Sequence, residues 1–279
     1  MNKSFLILFL FISNFLFSQY RTSIIGEASA GGVLIGRADN IKSVLFDKKK
    51  LSFSKDGFFV FGFDRDAAGT YTLKVTFKDK KTETIEYEIT PREYKIQAIN
   101  GFEKKMVTPG KKERIRIARE TKIISAEKKK PLSGGNAYFK NGFITPVDSV
   151  DISGVFGSLR VLNGKKKNPH NGVDYSADEG TPVKAAGEGV VLVARENFYY
   201  NGTFIMIDHG FGLITSYLHL SKLNVKRGDK VSKGDVIGEV GSTGRTSGAH
   251  LHFGAQIYNK RIDPFCLLKI KTEEPQTGK

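Results

Sequence analysis

Five histidines occur in this sequence, all between positions 170 and 252, and two short patterns among them suit a metal site. His170-Asn171-Gly172-Val173-Asp174 sets an imidazole and a carboxylate four residues apart, and His250-Leu251-His252 sets two imidazoles at i and i+2. Neutral imidazole nitrogens with one carboxylate oxygen form the ligand set that zinc takes when it keeps an open position for water. The chemistry this predicts is metal-assisted hydrolysis. Asn171-Gly172 favours a turn, so His170 and Asp174 converge through a bend in the chain rather than through helical spacing. Leu251 and Phe253 around the second pair read as a strand, on which positions i and i+2 share a face. Both rings then point into one cleft, one binding metal and the other reaching the water it activates. His219 ends the same-parity run Leu213, Thr215, Tyr217, and a hydrolytic site needs a group for the developing oxyanion, which His219 can supply. His209, in Asp208-His209-Gly210 at a strand end, reads as structural.

The elements that must position these groups are mainly strands. Val190 to Ala194, Thr203 to Ile207 and Leu213 to Leu220 are compact apolar or alternating runs separated by Gly-Asn-Asp turns. Gly228 to Asp235 reads as two tight turns around a short strand and echoes Gly180-Thr181-Pro182-Val183, as a duplicated β motif would. Upstream, Tyr71, Leu73, Val75 and Phe77 alternate with polar positions, as do Ile85, Tyr87 and Ile89, around a charged hairpin tip at Lys78 to Lys81. Phe58 to Phe63 is a further strand, and together these suggest a small β-sandwich. Between the two β regions, Thr108-Pro109 is placed to open a helix running to about Lys130, and Pro131 with Ser133-Gly134-Gly135 marks a linker.

The chain start predicts a targeting signal. Lys3 precedes the apolar run Phe5 to Phe17, which has the length of a signal-peptide core, with cleavage expected near Ser18. The single cysteine, Cys266, leaves no internal disulfide to stabilise an exported fold. Formal net charge is +15, and it is uneven: residues 19–142 hold 26 Lys and Arg against 15 Asp and Glu, residues 143–272 only 16 against 12. A basic first half suits anionic envelope polymers, whereas no nucleic-acid-binding motif accompanies the charge. The expected layout is a signal peptide at 1–18, a β-sandwich-like accessory domain at 19–100, a connector at 101–142, a β groove domain at 143–270 and a polar tail at 271–279.

Three separated motifs carry a resemblance. His170-x-x-x-Asp174, Tyr217-Leu-His219-Leu and Gly248-Ala-His250-Leu-His252-Phe resemble the signature of the lysostaphin-type (LytM-like) zinc endopeptidases, and Gly172-Val-Asp-Tyr, Gly180-Thr-Pro-Val and Ile262-Asp-Pro264 agree with it. The match covers about residues 143–268. The resemblance implies an antiparallel β groove fold of the duplicated hybrid motif type that cuts peptide cross-links or stems of peptidoglycan in the bacterial envelope. It also implies one Zn2+ held by His170, Asp174 and His252, with His219 and His250 catalytic. Some members carry a tyrosine shortly before the first ligand, whereas Leu162 to Pro169 contains none. The competing expectation is a non-catalytic domain of the same fold that binds cell wall or activates an amidase. Such domains have usually lost ligands, and this sequence keeps all five positions.

Overall fold

In the computed structural model, which describes residues 21–148 and 151–271, the chain is mainly β, as expected. The targeting signal and most of the polar tail lie outside the described residues. Among the described residues, no helix is long and apolar enough to cross a membrane.

Residues 22–89 form two facing sheets. One joins Thr22–Gly26, Val33–Ala38 and Phe58–Gly62; the other joins Lys49–Leu51, Ile41–Phe46, Gly69–Phe77 and Thr82–Ile89. Alternation explains the second sheet, since Leu73, Val75 and Phe77 are buried between the layers while Thr70, Thr72 and Thr76 face outward. Phenylalanine fills the space: Phe46 and Phe61 have ring centroids 4.7 Å apart, and Phe59, Phe63 and Phe77 complete the cluster.

The first sheet is apolar on both faces. Leu34, Phe59 and Phe61 face the phenylalanine core, whereas Val33, Ile35 and Val60 join the core of the second half beside Ile257 and Ile262. Continuous runs such as Val33-Leu34-Ile35 are what a strand covered on both sides requires. The two halves are therefore joined by shared apolar packing, and a cut before residue 143 would bare Val33, Ile35 and Val60 together with their partners. Association also follows the main chain. Ile96–Ile99 pairs in parallel with Leu159–Leu162, so residues placed at the end of the first half lie beside the second.

The connector is helical at Lys104–Val107 and Lys111–Lys128. Thr108 closes the first helix and Gly110 caps the second, so the Thr108-Pro109 pair separates two helices instead of opening one. The long helix buries almost no apolar surface and is held by charge. Glu120 accepts from the Tyr199 backbone N–H and pairs with Arg116, and Glu127 pairs with Arg195 and Arg227. One of the basic runs is part of this docking: Lys128 Nζ donates to Gln256 at 2.9 Å, and burial, aided by Arg261, pushes its pKa down to about 8.

The second half is built on a ten-stranded antiparallel sheet, apart from the Leu159–Leu162 hairpin that pairs with the first half. Its path runs Lys230–Val231, Gly189–Phe198, Gly202–Gly210, Leu213–Leu223, His250–Ile257, Gly172–Ser176 and Ile152–Gly154, with Pro182–Lys184, Val236–Val240 and Lys260–Ile262 branching from it. His209 is inside this core, fully buried, with Nδ1 2.6 Å from the Glu188 carbonyl and Nε2 2.7 Å from Thr215 Oγ1. Burial pushes its pKa down to about 4, so it is neutral in the folded protein. A depressed folded-state pKa gives stability that is complete above the unfolded value near 6.5 and is lost as pH falls toward 4. In zinc-free protein this loss is expected to reach on the order of 3 kcal/mol relative to His209→Asn, read from urea titrations between pH 7 and 4.

Candidate metal centre

Strand pairing brings the paired motifs together. Gly172–Ser176 and His250–Ile257 are antiparallel, with Asp174 opposite His252 and Ser176 opposite His250. Val173, Tyr175, Leu251 and Phe253 point into the core. Alternation therefore sends Asp174, His250 and His252 to the other face. His170 enters from the segment just before the first strand, its N–H donating to the Ser158 carbonyl at 2.9 Å. Gly172 is needed at the start of that strand, because a Cβ there would lie 2.8 Å from His252 Nε2.

Three donor atoms form a tight triangle. His252 Nδ1 lies 2.8 Å and His170 Nε2 lies 3.0 Å from Asp174 Oδ1, and the two nitrogens are 2.9 Å apart. His170 donates its Nδ1–H to the Val155 carbonyl at 3.0 Å, which leaves Nε2 as a lone pair aimed into the triangle. Only His252 Nδ1 can then carry a proton, which two facing acceptors must share, whereas a cation satisfies all three atoms. Burial alone would raise the Asp174 carboxyl, but contacts with His170 and His252 hold it well below the usual carboxylate range. Burial, partly offset by Asp174, pushes His252 down to about 4. An ionised carboxylate with neutral imidazoles is the protonation state in which such a site binds metal. His170, Asp174 and His252 thus fit zinc by donor chemistry and convergence.

His219 reaches the same place by breaking the strand's parity. Leu218 lies opposite His252, so a regular strand would turn His219 back with Tyr217 toward the core. Instead Thr203 pairs with Leu220 but Ile205 with Tyr217, an extra residue in the Leu213–Leu223 strand, and His219 takes φ +67°. Such a bulge re-aims a side chain at the cost of local strain. The ring comes to 4.9 Å from that of His250 and 6.1 Å from that of His252, while Thr215 and Tyr217 stay in the core. Its Nδ1 lies 2.8 Å from the Thr243 carbonyl, and burial, with His250 and His252 nearby, pushes its pKa down to about 3. His250 is held through Nδ1 by the Gly248 carbonyl at 2.9 Å and Thr246 Oγ1 at 3.0 Å, with Nε2 3.8 Å from Asp174 Oδ1. All five residues singled out in the sequence come together at one place, and His209 stands apart from it.

One member of the site carried no sequence signal. Arg160, on the Leu159–Leu162 strand, forms an ion pair with Asp174 Oδ2, the oxygen turned away from the triangle. Gly154, opposite Asp174 on the neighbouring strand, leaves the room for this pair: a Cβ there would lie 2.5 Å from Asp174 Oδ2 and 2.9 Å from Arg160 Nη2.

The description of peptidase family M23 matches residues 168–264. A peptidoglycan DD-endopeptidase of Vibrio cholerae, ShyA, is 45% identical over 128 residues, covering 43% of this chain and 30% of that protein. The DD-carboxypeptidase/endopeptidase Mpg of Neisseria meningitidis is 38% identical over 141 residues, covering 50% of this chain and 32% of Mpg. The chain thus spans about a third of the length of these curated relatives. A crystal structure of a Pseudomonas aeruginosa protein assigned to peptidase M23 shares the fold at TM-score 0.63 and 24% identity, covering 87% of this chain and 95% of that one. That likeness extends over the first half as well as the second.

His170→Ala or Asp174→Ala is expected to abolish stoichiometric zinc while the apolar core keeps the protein folded, measured by metal analysis and circular dichroism. Arg160→Met is expected to weaken zinc binding about 10–100-fold in chelator competition, since it removes a group that orients a ligand from behind.

Proposed function

We propose, from the match of residues 168–264 to peptidase family M23, a zinc-dependent endopeptidase that hydrolyses peptide bonds in the cross-links or stem peptides of peptidoglycan. The observation that carries this reading is the complete donor triangle of His170, Asp174 and His252 with two further histidines beside it. The DD-endopeptidase names of the curated relatives support the substrate class. Residues 143–270 are assigned the catalytic domain and residues 19–100 an accessory one. An exported location, in the periplasm or outside the cell, follows from the substrate and from the apolar start of the sequence.

When bound, zinc supplies Lewis-acid polarisation and lowers the pKa of water. The proton released needs a base, and the sequence has no HExxH glutamate to take it. His250 is assigned that role. Its Nδ1–H is directed at the Gly248 carbonyl, leaving Nε2 free to accept on the side of Asp174. His219 is likewise anchored through Nδ1 to the Thr243 carbonyl, so it also presents an unprotonated Nε2. His219 holds negative charge on the scissile carbonyl as the imidazolium, the proton coming from solvent water as that charge develops while the proton released at the metal goes to His250. The charge developing on the substrate is what raises its proton affinity at that moment. Its burial keeps it neutral until then.

Zinc-loaded protein should convert purified cross-linked muropeptides to smaller species with new amino and carboxyl termini, identified by mass spectrometry. His250→Ala and His219→Ala should retain zinc yet lose a hundredfold or more in kcat. Near-normal turnover in either variant rules out the role given to that residue.

A further inference from the structure

Arg245 sits in the loop between Val240 and His250, flanked by the two residues that hold the proposed catalytic histidines: the Thr243 carbonyl faces His219 and Thr246 Oγ1 faces His250. The loop is fixed to the opposite hairpin. The Arg245 N–H donates to the Tyr200 carbonyl at 3.0 Å, and the guanidinium carbon stands 4.2 Å from the centre of the Tyr200 ring.

This half-buried guanidinium is unusual in its company. Arg92 pairs with Asp263, Arg116 with Glu120 and Arg160 with Asp174. Among the described residues, Arg245 has the aromatic face of Tyr200 but neither a carboxylate nor a side-chain hydrogen-bond acceptor. Its charged neighbour is another cation, Arg160, and burial lowers its pKa while the group remains charged. A guanidinium shielded from water and left without an anion is costly to hold. Stacking on Tyr200 fixes its plane and leaves its N–H edge free, the arrangement that receives a carboxylate in two parallel hydrogen bonds.

We infer that Arg245 is a specificity-determining residue that binds a free carboxylate of the substrate peptide close to the scissile bond. This rests on the endopeptidase reading and narrows it to peptides that bring such a carboxylate into the cleft. The carboxylate has two sources in a peptide, the C-terminus or an acidic side chain, and the test separates them. The Arg160 charge does not compete for it, because that side chain is already committed to Asp174.

The test uses the zinc-loaded full chain with cross-linked peptides in three forms: both carboxylates free, the C-terminal one amidated, and the side-chain one amidated. Wild type is expected to lose at least tenfold in kcat/KM, mainly through KM, on one of the two amidated forms, which identifies the source. Arg245→Gln should lose the same factor on the free form and nothing further on that amide, with zinc content unchanged, and Arg245→Lys should recover part of the loss. Equal cleavage of all three forms by wild type, or an equal drop on all three in Arg245→Gln, overturns the inference. Binding of the three peptides is measured alongside by calorimetry. A carboxylate preference in binding that Arg245→Gln abolishes, without cleavage of any form, supports the role of Arg245 and defeats the hydrolase reading. No preference in binding or in cleavage defeats the inference alone when turnover is present.

Discussion

The site depends on one buried carboxylate. Asp174 has both oxygens committed, Oδ1 to two imidazoles and Oδ2 to Arg160, in a place where desolvation alone would favour the neutral acid. An ion held so far from water is tolerated only when each lone pair finds a partner. That requirement explains much of the surrounding sequence. The Gly172–Ser176 strand must be paired on both sides, with His250–Ile257 supplying His252 and Ile152–Gly154 supplying the glycine that leaves space for Arg160. The same strand must turn Val173 and Tyr175 into the core, which fixes its register against slippage. A one-residue slip would bury the carboxylate among apolar groups and expose two core residues, so the fold and the ligand set specify each other.

His219 shows what the regular sheet cannot do. The long Leu213–Leu223 strand keeps Leu213, Thr215 and Tyr217 in the core, and strict alternation would add His219 to them. One extra residue and a left-handed backbone return the ring to the face of the other histidines. The strain is held by hydrogen bonds at both ends of the residue, from its N–H to the Asn201 carbonyl and between its Nδ1 and the Thr243 carbonyl. Those two contacts tie the bulge to the Tyr200 hairpin and to the loop carrying Arg245. Anchoring both His219 and His250 by Nδ1 to carbonyls gives each ring a fixed tautomer before any substrate arrives.

What was legible in the sequence follows from how local each cause is. Strand alternation and turn glycines are local, so the antiparallel character of the second half and the common face of His250 and His252 could be read directly. The turn expected at Asn171-Gly172 is absent, since Gly172 already belongs to the Gly172–Ser176 strand. Arg160 was invisible because its meaning depends on a parallel pairing with Ile96–Ile99, more than sixty positions upstream, which no periodicity encodes. The bulge at His219 was likewise hidden: the parity of Leu213 to Tyr217 reads on smoothly through His219, and only the partner strand shows the extra residue. In the connector, the lack of an apolar stripe made the helix faint, because charge pairs from Glu120 and Glu127 hold it rather than hydrophobic burial.

The first half bears on the cleft through packing as well as charge. Its basic excess suggested a surface that recruits the protein to anionic polymers, yet Lys128 is spent on Gln256, and Val33, Ile35 and Val60 lie within the core that supports the strands bearing the histidines. Its last segment then follows the 159–167 hairpin toward the site: Asn163 exchanges hydrogen bonds with the Phe102 backbone, and Lys167 Nζ donates to the Val107 carbonyl at 2.5 Å. From there the short helix reaches across to the other wall, where the Tyr199 hydroxyl donates to the Lys105 carbonyl at 2.8 Å. Residues 102–107 thus connect the hairpin that carries Arg160 to the hairpin that carries Tyr200. This strap is held to both hairpins by the hydrogen bonds from Asn163, Lys167 and Tyr199. Charge on the accessory half acts at long range and is screened by salt, whereas the strap acts through hydrogen bonds to named carbonyls.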